Sequence, residues 1–129
     1  MTSAWVRGKA ILVVEDEAQV ASTLARLLAI DGHHVTTAQD GVAALQKLGE
    51  REYDLILSDI KMPGLDGLGF YRELARTHPR MLRRIAFVTG DADPRETQRF
   101  LEESGVPYAV KPLTLLEIRR VVQQLLAGA

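Results

Sequence analysis

The chain has 129 residues, 47% hydrophobic and 26% charged, with 16 lysines and arginines against 17 aspartates and glutamates. That is one domain's length, enough to bury roughly 67% of the unfolded surface without staples, and the absence of cysteine excludes disulfide frameworks, thiolate zinc sites and cysteine nucleophiles. A net charge of −1 offers no basic field for nucleic acid and no polybasic membrane patch, and 5% aromatics are too few for a base-stacking platform.

Residues 1–9 read as a short N-terminal tail. The apolar run that follows, 10–14, stops at Glu15. It is shorter than the ~7–15 residues of a secretory signal or the ~18 of a spanning helix, so a cytoplasmic chain is expected. The run is all apolar and rich in β-branched residues, as in a strand buried on both faces. A helix is expected over 17–30, with Val20, Leu24, Leu27 and Leu28 on one face. A weaker strand follows at 35–38. Asp40 then caps a second helix whose inward residues are Val42, Leu45 and Leu48. The next strand is 55–58, and a helix over 67–77 turns Phe70, Tyr71 and Leu74 inward.

Arg80, Arg83 and Arg84 read as a solvated turn before the strand at 85–89. Pro94 at a first turn and Gly105 at a stop bracket a helix over 94–104. A short strand covers 108–110. Thr114 with Glu117 forms a capping box that opens the last helix, through Val121, Val122, Leu125 and Leu126. His33, His34 and His78 lack helical ligand spacing and read as solvated loop residues.

Strict alternation of strand and helix with short loops demands parallel strands and right-handed crossovers. Five such units are too few for an eight-stranded barrel. The expected fold is α/β, a flavodoxin-like doubly wound five-stranded parallel sheet of order 2-1-3-4-5 with five helices, over residues 10–127. Ligands of such sheets sit at the carboxyl ends of the strands, between the first and third. The residues gathered there are Glu15, Asp16 and Asp59, with Thr89 and Lys111. Each alone has an ordinary role, as a helix-start acid or a turn former. Together, three carboxylates repel one another unless a cation intervenes. Oxygen-only ligands favour Mg²⁺, and an open Mg²⁺ site beside a lysine and a hydroxyl suits phosphoryl oxygens.

This constellation resembles the receiver domain of two-component response regulators. The resemblance is carried by Ile11-Leu12-Val13-Val14-Glu15-Asp16-Glu17, by Asp59-Ile60-Lys61-Met62-Pro63-Gly64-Leu65-Asp66-Gly67, by Val88-Thr89-Gly90 and by Lys111-Pro112. It implies that Asp59 accepts a phosphoryl group from a phosphohistidine on a histidine kinase or histidine phosphotransfer protein. It also implies Mg²⁺ on Asp16 directly, on Glu15 through water, on Asp59 and on the backbone carbonyl of Lys61. Lys111 would pair with a phosphoryl oxygen, aimed by a cis Lys111–Pro112 peptide. Thr89 and Tyr108 resemble the family's switch pair, which remodels the surface of the fourth helix, fifth strand and fifth helix. Gly90 would leave room for the phosphoryl donor, while Lys61 and Asp91 would flank the water path to the phosphoryl group.

Glu15 stands where the family more often has a second aspartate. Val106-Pro107-Tyr108 departs from the Gly-Ala-Asp-Asp-Tyr pattern of DNA-binding regulators and is more similar to receivers of hybrid histidine kinases. A homodimer on activation is compatible with the arginines and glutamates of the last two helices. Output would lie with a partner or a fused segment, with no direct nucleic-acid or membrane binding by this domain. Two other functions compete: a phosphorylation-independent pseudo-receiver that only binds proteins, and a phosphatase with an aspartyl-phosphate intermediate. The second wants a carboxylate general acid two residues after the nucleophile, where this chain has Lys61.

Overall fold

The computed structural model describes residues 5–90 and 95–127. Asp91 and Pro94, named above for a water path and a helix start, lie outside them. Five strands, β1 (Ala10–Val14), β2 (His34–Ala38), β3 (Leu55–Asp59), β4 (Ile85–Thr89) and β5 (Tyr108–Val110), alternate with α1 (Ala18–Ile30), α2 (Gly41–Glu50), α3 (Gly67–Thr77), α4 (Arg95–Ser104) and α5 (Leu115–Ala127). The strands pair in parallel in the order β2-β1-β3-β4-β5.

The all-apolar strands are explained by two cores, one on each face. Leu12, Val14, Ile56, Ile85 and Phe87 pack with Leu48 of α2, Phe70 and Leu74 of α3, and Leu101 of α4. Ile11, Val13, Leu55, Leu57 and Ala86 pack with Leu24 and Leu28 of α1 and Val122 of α5. The period-2 alternation of a strand hands successive residues to opposite faces, so both sets must be apolar. Among the described residues no helix is long and apolar enough to cross a membrane.

Local signals hold at most helix ends. The Asp40 carboxylate accepts from Ala43 N–H at 2.8 Å, and Thr114 Oγ1 accepts from Glu117 N–H at 3.2 Å. In the expected capping box the glutamate would reach the Thr114 backbone, but Glu117 Oε1 accepts from the Thr114 hydroxyl instead, at 3.4 Å. Two expectations need correction. Val42 is 57% exposed, because Gly41, Ala44 and Leu48 form the buried stripe of α2 and Val42 is turned away from it. His33 is buried: its Nδ1 accepts the Lys9 N–H at 2.9 Å, which fixes residues preceding β1 against the start of β2. The arginine-bearing turn expected before β4 is present as a 3-10 turn, Pro79–Arg83, with Arg80 and Arg83 exposed.

Candidate functional site

Sheet register brings the site together. Val14 of β1 stands beside Ser58 of β3, and Asp59 beside Val88 of β4, so Glu15, Asp59 and Thr89 all emerge at the same carboxyl edge. The Lys111 N–H donates to the Thr89 carbonyl at 2.7 Å, carrying Lys111 to that edge beyond β5. The Lys111–Pro112 peptide is cis.

The Lys111 ammonium donates to Asp59 Oδ2 and to Glu15 Oε1, each at 3.1 Å. The other Asp59 oxygen accepts from Ile60 N–H at 2.8 Å, and Glu15 Oε2 accepts from Glu17 N–H at 3.1 Å. Glu15 is 3% exposed and Asp59 6%. Burial pushes the Glu15 carboxyl up to about 7; the Glu17 N–H opposes this, the Asp59 charge adds to it, and Lys111 offsets part of it. Burial works against the Lys111 ammonium too, but its hydrogen bonds and charge contacts with Asp59 and Glu15 prevail and hold its pKa above the usual lysine value.

One ammonium thus serves two buried carboxylates, and the site stays short of positive charge. Carboxylate oxygens of Glu15, Asp16 and Glu17 lie within 4.8 Å of one another. An all-oxygen set of this kind, with a raised carboxyl at its buried end, fits a hard divalent cation such as Mg²⁺. Glu17, the first residue of the helix expected over 17–30, lies two residues beyond Glu15, which puts its carboxylate in the cluster and its N–H on Glu15. Lys61 lies in the connection from β3 to α3. That connection is tied back by Gly67 N–H, which donates to the Ile60 carbonyl at 2.8 Å. Asp66 caps α3 through Gly69 N–H at 2.8 Å, and Gly64, at φ +73°, takes the left-handed conformation that glycine adopts without strain.

Thr89 is 3% exposed and Tyr108 52%. Tyr108 pairs with Phe87 across the β4–β5 ladder, and Phe87 belongs to an aromatic trio with Tyr71 and Phe100, whose centroids are 5.2–6.1 Å apart. Space for a side chain at Gly90 is open. Gly90 borders a groove of about 680 Å³ that it shares with Gln19, Thr23 and Leu27 of α1 and with Lys111.

A sequence profile of the response regulator receiver domain matches residues 11–123, and the chain belongs to that family. It is 36% identical over 120 residues to the response regulator GacA of Pseudomonas viridiflava, covering 92% of this chain but 55% of that protein. The chain therefore spans about half the length of this curated relative. A response regulator receiver domain from Clostridium thermocellum superimposes with a TM-score of 0.81 at 28% identity, over 92% of this chain and 94% of that one. The signal receiver domain of a histidine kinase from Syntrophus aciditrophicus gives 0.81 at 31% identity, over 95% and 92%.

Proposed function

We propose that residues 10–127 form a phosphoacceptor receiver module in a histidine–aspartate phosphorelay, with Asp59 as the acceptor. The observation that carries this reading is the shared grip of Lys111 on Asp59 and Glu15 at the sheet edge. An oxygen of the Asp59 carboxylate attacks the phosphorus of a phosphohistidine on a histidine kinase or phosphotransfer protein. The new O–P bond forms as the P–N bond breaks, and the imidazole nitrogen leaves with the electron pair. Phosphoryl transfer needs positioning and charge stabilisation more than covalent help. Lys111, tethered between the two carboxylates, is placed to follow a phosphoryl oxygen as a mobile point charge. Glu15, Asp16, Asp59 and the Lys61 carbonyl would hold Mg²⁺, which supplies positive charge to the phosphoryl oxygens. Hydrolysis by water at phosphorus returns phosphate and the free carboxylate.

Thr89 and Tyr108 form the switch pair. The half-exposed Tyr108 has room to change rotamer beside the Phe87 trio, and the Thr89 hydroxyl is one strand end away from Asp59. Their movement would bias the α4–β5–α5 surface, the two-state element that passes the signal to a partner, a second copy of the chain or a fused output. The groove at Gly90 and α1 is where the donor protein would dock.

Intact-mass measurement after incubation with Mg²⁺ and a small phosphodonor tests the reading. An adduct of about 80 Da, absent from Asp59→Asn, is expected. No adduct would leave a protein-binding pseudo-receiver, and donor turnover without adduct a phosphatase.

A further inference from the structure

At the edge of the sheet opposite Asp59, the loop before β3 and the 3-10 turn before β4 border a groove of about 1030 Å³. The five residues of β3 separate the two edges by roughly 15 Å. Arg51, Arg80, Arg83 and Arg84 line this groove. Two of them are set in place: the Arg51 guanidinium lies 5.4 Å from the centre of the Tyr53 ring, and Arg84 Nη1 donates to the Asp54 carbonyl at 3.5 Å. Among the described residues none of the four is ion-paired with a carboxylate. Of the two acids at the rim, Asp54 is occupied, its Oδ2 accepting from Ala10 N–H at 2.8 Å, and Glu52 is exposed.

Arginine does not shed its proton to escape like neighbours. Four guanidinium groups around one concavity therefore concentrate positive potential in it, and an anion relieves their repulsion. The planar fork of arginine matches a phosphate with two parallel hydrogen bonds. The groove is larger than a lone phosphate needs and lies at the upper end of small-molecule pockets. Leu48, Tyr53 and Met81 give it an apolar side. Arg51, stacked on one side against Tyr53, is exposed on the other and presents a guanidinium plane of the kind on which nucleobases stack.

We propose that this groove binds a nucleoside diphosphate, its two phosphates on Arg80, Arg83 and Arg84 and its base against Arg51. The site is independent of the phosphoacceptor reading, because it lies at the other end of the sheet and uses none of its residues.

Calorimetric titration of ADP into the full chain, with EDTA present to keep divalent cations from the Asp59 end, tests this. Saturable binding is expected, unchanged in Asp59→Asn and weakened at least about 10-fold when Arg80→Glu and Arg83→Glu are combined. Both arginines are exposed, so the double variant should keep its circular dichroism spectrum. Adenosine alone should give no measurable binding. Four results would overturn the proposal: no saturable binding of ADP or of GDP; inorganic phosphate binding as tightly as ADP; a glutamate-rich peptide binding more tightly than ADP; or unaltered ADP binding by the folded double variant.

Discussion

Arg119 of α5 grips the Asp31 carboxylate with two hydrogen bonds of 2.9 Å each, tying the last helix to the end of the first. Asp31 is 3% exposed, and the face of the Arg119 guanidinium is covered by the Trp5 ring, 5.8 Å away at its centroid. The Arg119 hydrogen bonds hold the Asp31 carboxyl below its ordinary value of 3.8 despite its burial.

A group whose folded pKa is depressed contributes stability above its unfolded value and loses it as pH falls through the folded one. Arg119→Ala is therefore expected to lower the urea midpoint at neutral pH by stranding a buried carboxylate. The difference from the parent chain should narrow below about pH 4, where Asp31 takes up a proton in the variant first. Urea titrations at both pH values check this; a difference that widened in acid would contradict it.

Gly67 is fixed by contact rather than by its dihedral angles. A methyl group there would stand 2.7 Å from both the Asp59 carbonyl oxygen and the Ile60 Cα, and neither is a side chain that can swing away. Gly67→Ala should cost about 1–3 kcal/mol, the usual price of overpacking. On the proposed function it should also slow phosphorylation of Asp59, because the start of α3 is pushed off the Asp59 backbone. Equilibrium unfolding and the rate of adduct formation measure the two effects separately.

Magnesium should stabilise the chain by mass action. At ten times its dissociation constant the gain is about 1.4 kcal/mol, visible as a rise in Tm over a sodium control at matched ionic strength. Asp16 is exposed, so Asp16→Asn should leave the metal-free Tm within about 1 °C of the parent and remove most of the rise. A full rise in Asp16→Asn would take Asp16 out of the binding set.

The elements easiest to read in the sequence were those with a single physical cause. β1, β4 and β5 run over the expected residues because their composition and bounding residues leave no other element. α3 likewise begins and ends where expected, between an aspartate cap and His78 before a proline. Val42 was misplaced because an apolar residue near a helix start satisfies the period on more than one face, and only the smaller Ala44 shows which face is pressed to the sheet. His33 could not be found: its partner is a main-chain N–H 24 residues away, and no local pattern marks such a bond. That Glu15, Asp59, Thr89 and Lys111 share one edge of the sheet is legible through the strand ends, whereas the groove before β3 is not. Arg51 and the Arg80–Arg84 stretch are distant in sequence and meet only because β3 and β4 are neighbours.

β5 is three residues long and, among the described residues, paired on one side only. An exposed strand edge normally invites a foreign strand to add main-chain hydrogen bonds, a risk that short edges blunt. Here the open edge offers few amides to a newcomer, while Tyr108, Val110 and Leu116 beside it are 45–52% exposed. A partner on this flank would therefore have to be read through side chains, and point substitutions there would change its fit without disturbing the sheet.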